Sequence, residues 1–310
     1  MTKSVLVIGG TRFFGRILVD RLVTEGHQVT IATRGRASDT FGATVERIGV
    51  DRRDGGAMAA AFEDRKFDLV FDQMCYSPRD AEISTRVFSG RVGRYVMTST
   101  IEVYDQVHGE IDRPLAEDDL VLDDEPVDPG FAWDDPLVAD AHYGSGKRQA
   151  EAALLRHAVL PVVTVRVGHV LAGPEDFTGR LAHYVDRAVE GRTLRHAAGS
   201  GKSAFIDGPG IANFLAWVGG ETFRGPVNAA AEGALSAAGI FEQVGVMAGV
   251  PLALQPVENS TASNTLSPFD YERDFTMDTR RAAALGHRFG HSHDWLDGLI
   301  AAHLADRATK

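Results

Sequence analysis

VLVIGGTRFFGR, residues 5–16, runs from four apolar residues into a glycine pair and then into a segment with helical spacing. A strand that ends in glycines and hands over directly to a helix reads as the first βα turn of a doubly wound sheet. Glycines here allow a tight turn, a backbone that can approach a pyrophosphate, and a helix N-terminus aimed at that anion. Gly9, Gly10, Thr11, Arg12, Phe13, Phe14 and Gly15 are therefore the candidate dinucleotide-binding residues. Arg12 occupies the middle glycine position of a G-x-x-G-x-x-G turn. Its side chain must point out of the turn, where it either pairs with a phosphate or lies in solvent.

Outward from this turn, strand and helix alternate. Strands are expected at QVTIAT (28–33), 45–50, FDLVFD (67–72), RYVMTST (94–100) and PVVTVRVGHV (161–170), with helices at 14–25, 80–88 and 143–157. The alternation predicts an α/β fold with a Rossmann-type doubly wound parallel sheet. After Gly173 it loosens into helical patterns at 179–190, 210–218, 235–248 and 294–305. The expected organisation is a dinucleotide-binding domain over 1–173 and a smaller, mainly C-terminal substrate-binding lobe over 174–310. The polar stretch 256–270 reads as an exposed loop.

Composition narrows the classes of function. The 310 residues are 44% hydrophobic and 24% charged, with a net charge of −11. No apolar run approaches the roughly 20 residues that cross a bilayer, and no leader-like segment opens the chain, so a cytoplasmic protein is expected. The single Cys75 cannot form an internal disulfide and reads as a packing residue. Residues 105–140 hold thirteen acids and one base, Arg113, which leaves the remainder close to neutral. Without a basic face, a nucleic-acid groove is not expected. The acidic insertion reads as a long loop, either solvated or a lid with Phe131 and Trp133 as apolar contacts. His287, His291 and His293 read as polar residues before the last helix, capped by Ser292, and not as a metal site.

Arg34 and Arg36 follow the second strand, where an arginine accommodates the extra phosphate of NADP. NADP is the expected cofactor, with NAD as the alternative. Asp51, after the third strand, is a candidate acceptor for the adenine amino group or else a helix cap, with Arg52 beside it in the cofactor set. In YGSGK (143–147), Tyr143 and Lys147 lie one helical turn apart. A lysine ammonium near a phenol lowers its pKa and suits it to proton exchange near neutral pH. Thr100 or Ser99, ending the fifth strand, can supply a hydroxyl that polarises a substrate oxygen.

GGTRFFG (9–15), VDRRD (50–54), TSTIEVY (98–104), YGSGK (143–147) and RVGHVLAGP (166–174) together resemble the extended short-chain dehydrogenase/reductase superfamily, the NAD(P)-dependent sugar epimerase/dehydratase group. The arginine in the glycine turn resembles an atypical branch that includes chloroplast stem-loop RNA-binding proteins. The resemblance implies a catalytic triad of Thr100, Tyr143 and Lys147, with Lys147 also touching the cofactor and Gly168 and His169 near the nicotinamide. It implies ketone reduction, or epimerisation through a transient ketone, on a sugar nucleotide or similar polyol, and a homodimer through helices flanking the sheet. Alternatives are a ketoreductase on a non-sugar intermediate, a 4,6-dehydratase using Glu102, and a non-catalytic cofactor-sensing or RNA-binding relative. Two departures stand out: Ile101 sits where dehydratases place an acid beside Glu102, and Asp207 in FIDGPGIA (205–212) replaces a family histidine.

Overall fold

The computed structural model describes residues 1–156, 159–258 and 266–309. Its strands are β1 Ser4–Ile8, β2 Gln28–Thr33, β3 Glu46–Gly49, β4 Leu69–Asp72, β5 Tyr95–Thr100, β6 Val162–Val167, β7 His169–Leu171, β8 Leu194–Ala197, β9 Phe205–Asp207, β10 Gly225–Ala229 and β11 Leu254–Val257. Its helices are α1 Phe13–Thr24, α2 Gly55–Phe62, α3 Pro78–Phe88, α4 Pro136–Ala141, α5 Tyr143–Arg156, α6 Arg180–Val189, α7 Gly208–Gly220, α8 Ala237–Ala248, α9 Arg280–Ala284 and α10 His293–Thr309.

Seven strands form the main sheet in the order β10-β6-β5-β4-β1-β2-β3. The five pairings from β6 through to β3 are parallel. Helices cover both faces of such a sheet, so its strands read as continuous apolar runs, and Val5, Leu6 and Val7 of β1 are indeed fully buried. Local chemistry starts the helices. Ser77 and Asp80 form a capping box at α3 with Pro78 in the first turn. Asp54 caps α2 by accepting from the backbone N–H groups of Gly56 and Ala57. This helix was not anticipated, because two glycines open it and its alanines blur the period.

The chain divides into two compact units. The first comprises Met1–Gln106, Glu117–Val167 and Ile211–Asn228; the second comprises Val107–Ala116, Gly168–Gly210 and Ala229–Lys310. The division falls at Val167 rather than Gly173, because the expected strand 161–170 breaks at Gly168 and its second part, β7, pairs with β9. Residues 211–228 belong to the sheet unit and not to the C-terminal lobe. Ile211, Ala212, Phe214, Leu215 and Val218 of α7 are fully buried, and a Cβ on Gly219 would meet Leu69 and Phe71 of β4. Part of the acidic insertion belongs to the second unit, where Leu115 bridges to Met277.

The second unit packs α6, α8 and α10 around Leu171, Leu181, Tyr184, Phe205, Ile240, Phe241 and Ile300. Ser292 precedes α10, but its hydroxyl donates to the Gly233 carbonyl at 2.6 Å, while Asp294 accepts from His291 N–H. The stretch expected as a loop over 256–270 begins inside β11, and its residues 259–265 lie outside the described residues. Among the described residues no helix is long and apolar enough to cross a membrane.

Candidate active site

The glycine turn joins β1 to α1. Gly9 and Gly10 have φ of +98° and +88°, a region that residues with a Cβ rarely adopt. A Cβ on Gly10 would also lie 2.9 Å from Val7 and 3.0 Å from Val19. Arg12 is the extended residue before α1 and gives that helix no side-chain cap; no acid stands in the first turn. A helix start with this composition suits an anion. The Arg12 side chain is exposed, as its position in the turn demands.

Arg34 and Arg36 are exposed just beyond β2, where Thr33 accepts from Gly35 N–H. Asp51 is exposed after β3 and accepts from Arg53 N–H at 3.0 Å; the helix cap is Asp54 instead. Arg52 departs from expectation. Its guanidinium turns inward and pairs with Asp72, the Asp80 carbonyl and the Ser84 hydroxyl. Asp72 is fully buried and also accepts from the Tyr95 hydroxyl at 2.6 Å. A carboxylate removed from water requires a cation, so the Arg52 side chain ties β4 to α3 and is spent there.

Tyr143 and Lys147 lie on one face of α5, as their spacing requires. Two glycines set how closely that helix approaches its neighbours. A Cβ on Gly144 would collide with the Glu102 carbonyl, and one on Gly146 would lie 2.5 Å from the Tyr76 carbonyl. Tyr143 therefore starts its helix directly beside residues 101–104, the single turn after β5. Thr100 caps this turn by accepting from Glu102 N–H. Ser99 is excluded as the polarising hydroxyl, since it donates to the buried Glu151 carboxylate. Thr100 remains.

Lys147 is 1% exposed and donates to the Thr98 carbonyl at 2.7 Å. Its ammonium lies 4.2 Å from the centre of the Tyr76 ring and 6.0 Å from that of Tyr143. Burial lowers its pKa from 10.5 to about 8. Tyr143 is 36% exposed, open to an incoming molecule.

Residues 73–77, following β4, connect the two halves of this site. Met74 packs on Gly9, Gln73 lies against Gly9 and Gly15, and Tyr76 contacts α5 through Gly146 and Lys147. Sequence reasoning singled out only Cys75 here. That residue is buried, and burial pushes its thiol pKa up. The overlooked signal was position: this segment leaves the carboxyl end of a central strand, where ligands bind in such sheets.

Behind the site, Arg166 and Glu151 form a fully buried pair at 2.8 Å, joined to the Tyr104 hydroxyl and the Glu117 carbonyl. Removing one partner of such a pair costs roughly 3–5 kcal/mol. The acidic insertion is fastened from the same helix. Arg148 holds Asp105 and Glu125, Arg156 holds the Leu122 carbonyl, and Trp133 is buried with its indole N–H on the Asp128 carbonyl. Much of this segment is thus tied to α5.

In the second unit, His169 is 8% exposed and its Nε2 lies 2.8 Å from the Tyr271 hydroxyl. Burial, reinforced by Arg180, lowers its pKa to about 3, so the ring is neutral. A Cβ on Gly168 would lie 2.8 Å from the Ala204 carbonyl, which explains the glycine. Asp207 accepts from Gly210 N–H at the start of α7, and burial raises its pKa. The His291 and His293 rings lie 4.1 Å apart. Among the described residues no group of three His, Cys, Asp or Glu is placed to hold a metal ion.

Comparison with known proteins places the fold and the family. The chain is 32% identical over 117 residues to the chloroplast stem-loop binding protein of 41 kDa b of Arabidopsis thaliana, a match spanning 33% of this chain and 30% of that protein. The fold is shared with the Bordetella bronchiseptica enzyme WbmH, solved in complex with NAD+, at a TM-score of 0.71 and 15% identity over 100% of this chain and 99% of that one. It is shared with UDP-N-acetylglucosamine 4-epimerase from Methanobrevibacter ruminantium M1, in complex with UDP-N-acetylmuramic acid, at 0.72 and 17% over 98% and 99%. It is also shared with UDP-glucose 4-epimerase of Thermotoga maritima, solved with UDP-glucose, at 0.71 and 18% over 98% and 99%. The model of the NAD dependent epimerase/dehydratase family matches residues 5–215, so the chain belongs to that family.

Proposed function

We propose that the protein acts on a hydroxyl-bearing carbon of a sugar nucleotide or similar polyol, epimerising it through a transient ketone or reducing a ketone there. The carrying observation is the placement of Tyr143 and Lys147 by two close-packed glycines beside the turn that Thr100 caps. Nucleotide sugars bound to similarly folded epimerases support the substrate class.

A bound nicotinamide supplies hydride exchange at its C4. Tyr143 exchanges a proton with the substrate oxygen, and the nearby Lys147 ammonium favours the phenolate. The Thr100 hydroxyl orients that oxygen. Glu102 binds substrate hydroxyls. Elimination of water would need an acid partner as well as a base, and its neighbour Ile101 is apolar and fully buried. Exposed Arg34 and Arg36 favour NADP, whereas WbmH was solved with NAD+. A homodimer through the flanking helices, including α5, belongs to the same proposal.

The test starts with fluorescence titration of the purified protein with NADPH and NADH, and with assay of nucleotide sugars. Tyr143→Phe should lower turnover about 10²–10⁴-fold with cofactor binding retained. Equal turnover in this variant overturns the catalytic reading and favours a binding role like that named for the stem-loop protein. Arg34→Ala should erase a preference for NADPH; an unchanged ratio removes the NADP assignment. Cofactor that co-purifies and is recycled marks an epimerase; stoichiometric consumption marks a reductase.

A further inference from the structure

The glycine turn contains a side chain that the family-like residues do not account for. Gln73, the first residue after β4, runs along the turn: its Cβ lies 3.6 Å from where a Gly9 Cβ would be, and its Oε1 occupies the space a Gly15 Cβ would need. Its Nε2 is buried and has no hydrogen-bond partner. A buried amide donor left without an acceptor loses the hydrogen bonds it makes to water in the unfolded chain. The first turn of α1, against which it lies, carries no acid. Asp72, next in the chain, is committed to Arg52, Ser84 and Tyr95.

We infer that Gln73 is a cofactor-binding residue whose carboxamide N–H donates to the pyrophosphate of the bound dinucleotide. A buried donor orphaned beside an anion-receiving turn gains a charged acceptor only when that anion arrives. The turn then presents backbone N–H groups, the Arg12 cation at its rim and a neutral amide within it. This inference rests on the dinucleotide reading of the turn.

The test titrates wild type, Gln73→Leu and Gln73→Glu with NADH and with NADPH, following intrinsic fluorescence, and records each melting temperature without cofactor. Gln73→Leu keeps the volume and removes the donor, so both cofactors should bind about tenfold more weakly. Gln73→Glu keeps the shape and adds charge, so its loss should be larger and should shrink as salt is added. Both losses together, with melting temperatures near wild type, support the inference. Affinity within twofold of wild type in either variant overturns it; for Gln73→Glu this result would mean an acceptor faces the anion. A loss insensitive to salt in Gln73→Glu, or tracking a fall in melting temperature, also overturns it, because the side chain then only shapes the turn. If wild type binds neither cofactor, the dinucleotide reading itself fails, which is a separate result.

Discussion

Two glycine-rich stretches, GGTRFFG at 9–15 and YGSGK at 143–147, build this site and use glycine for different reasons. In the first, Gly9 and Gly10 take positive φ, so the demand is conformational. In the second, Gly144 and Gly146 are ordinary helical residues, and the demand is spatial: backbone carbonyls of Glu102 and Tyr76 stand where a Cβ would go. One stretch shapes a place for a ligand. The other brings the helix that carries Tyr143 and Lys147 up against its partners. The same residue type therefore fails in different ways when replaced.

The largest expected effect breaks the second stretch. Gly146→Ala must push α5 away from a backbone oxygen, and overpacking of this kind costs about 1–3 kcal/mol. Because Tyr143 and Lys147 move with the helix, kcat should fall about 100-fold with cofactor affinity less affected. Gly10→Ala should do the reverse. Its strained backbone costs of order 1–3 kcal/mol, and the loss should appear in cofactor Kd. Steady-state kinetics beside binding isotherms separate the two; equal patterns would erase the distinction.

Two buried bases sharpen the comparison by extending it to the second unit. His169 has a pKa of about 3, against 6.5 for an ordinary histidine. Between those values the unfolded chain takes a proton that the folded chain refuses. Stability is lost as pH falls through that window, by up to about 1.4 kcal/mol per pH unit. His169→Gln should flatten this slope in urea titrations at pH 7 and 4.5. Lys147 has a pKa of about 8 against 10.5, so its window is narrower and lies on the alkaline side. There the unfolded chain again holds the extra proton, so stability rises with pH from 8 to 10.5. Lys147→Met should remove that rise, measured at pH 8 and 10; an unchanged slope would mean that Lys147 is not desolvated.

The candidate site was legible where its geometry is local. The glycine turn follows one strand, and Tyr143 and Lys147 sit on one helix, so chain spacing alone places each pair. Arg52 was misread because its partners, Asp72, Asp80 and Ser84, come from β4 and α3. Gln73, Met74 and Tyr76 were overlooked because their importance comes from contacts with Gly9, Gly15 and Gly146, which are distant in the chain.

By itself, the sequence determined the alternation of strand and helix, the first βα turn as a candidate anion site, and the one-face pairing of Tyr143 with Lys147. These follow from periodicity and backbone conformation, which neighbouring residues dictate. Tertiary structure alone decided that Thr100 and not Ser99 is available, that Arg52 is structural, and that residues 211–228 complete the first unit. Each of these rests on burial. A charge or apolar surface withdrawn from water must find its partner wherever the fold brings one, however far away in the chain.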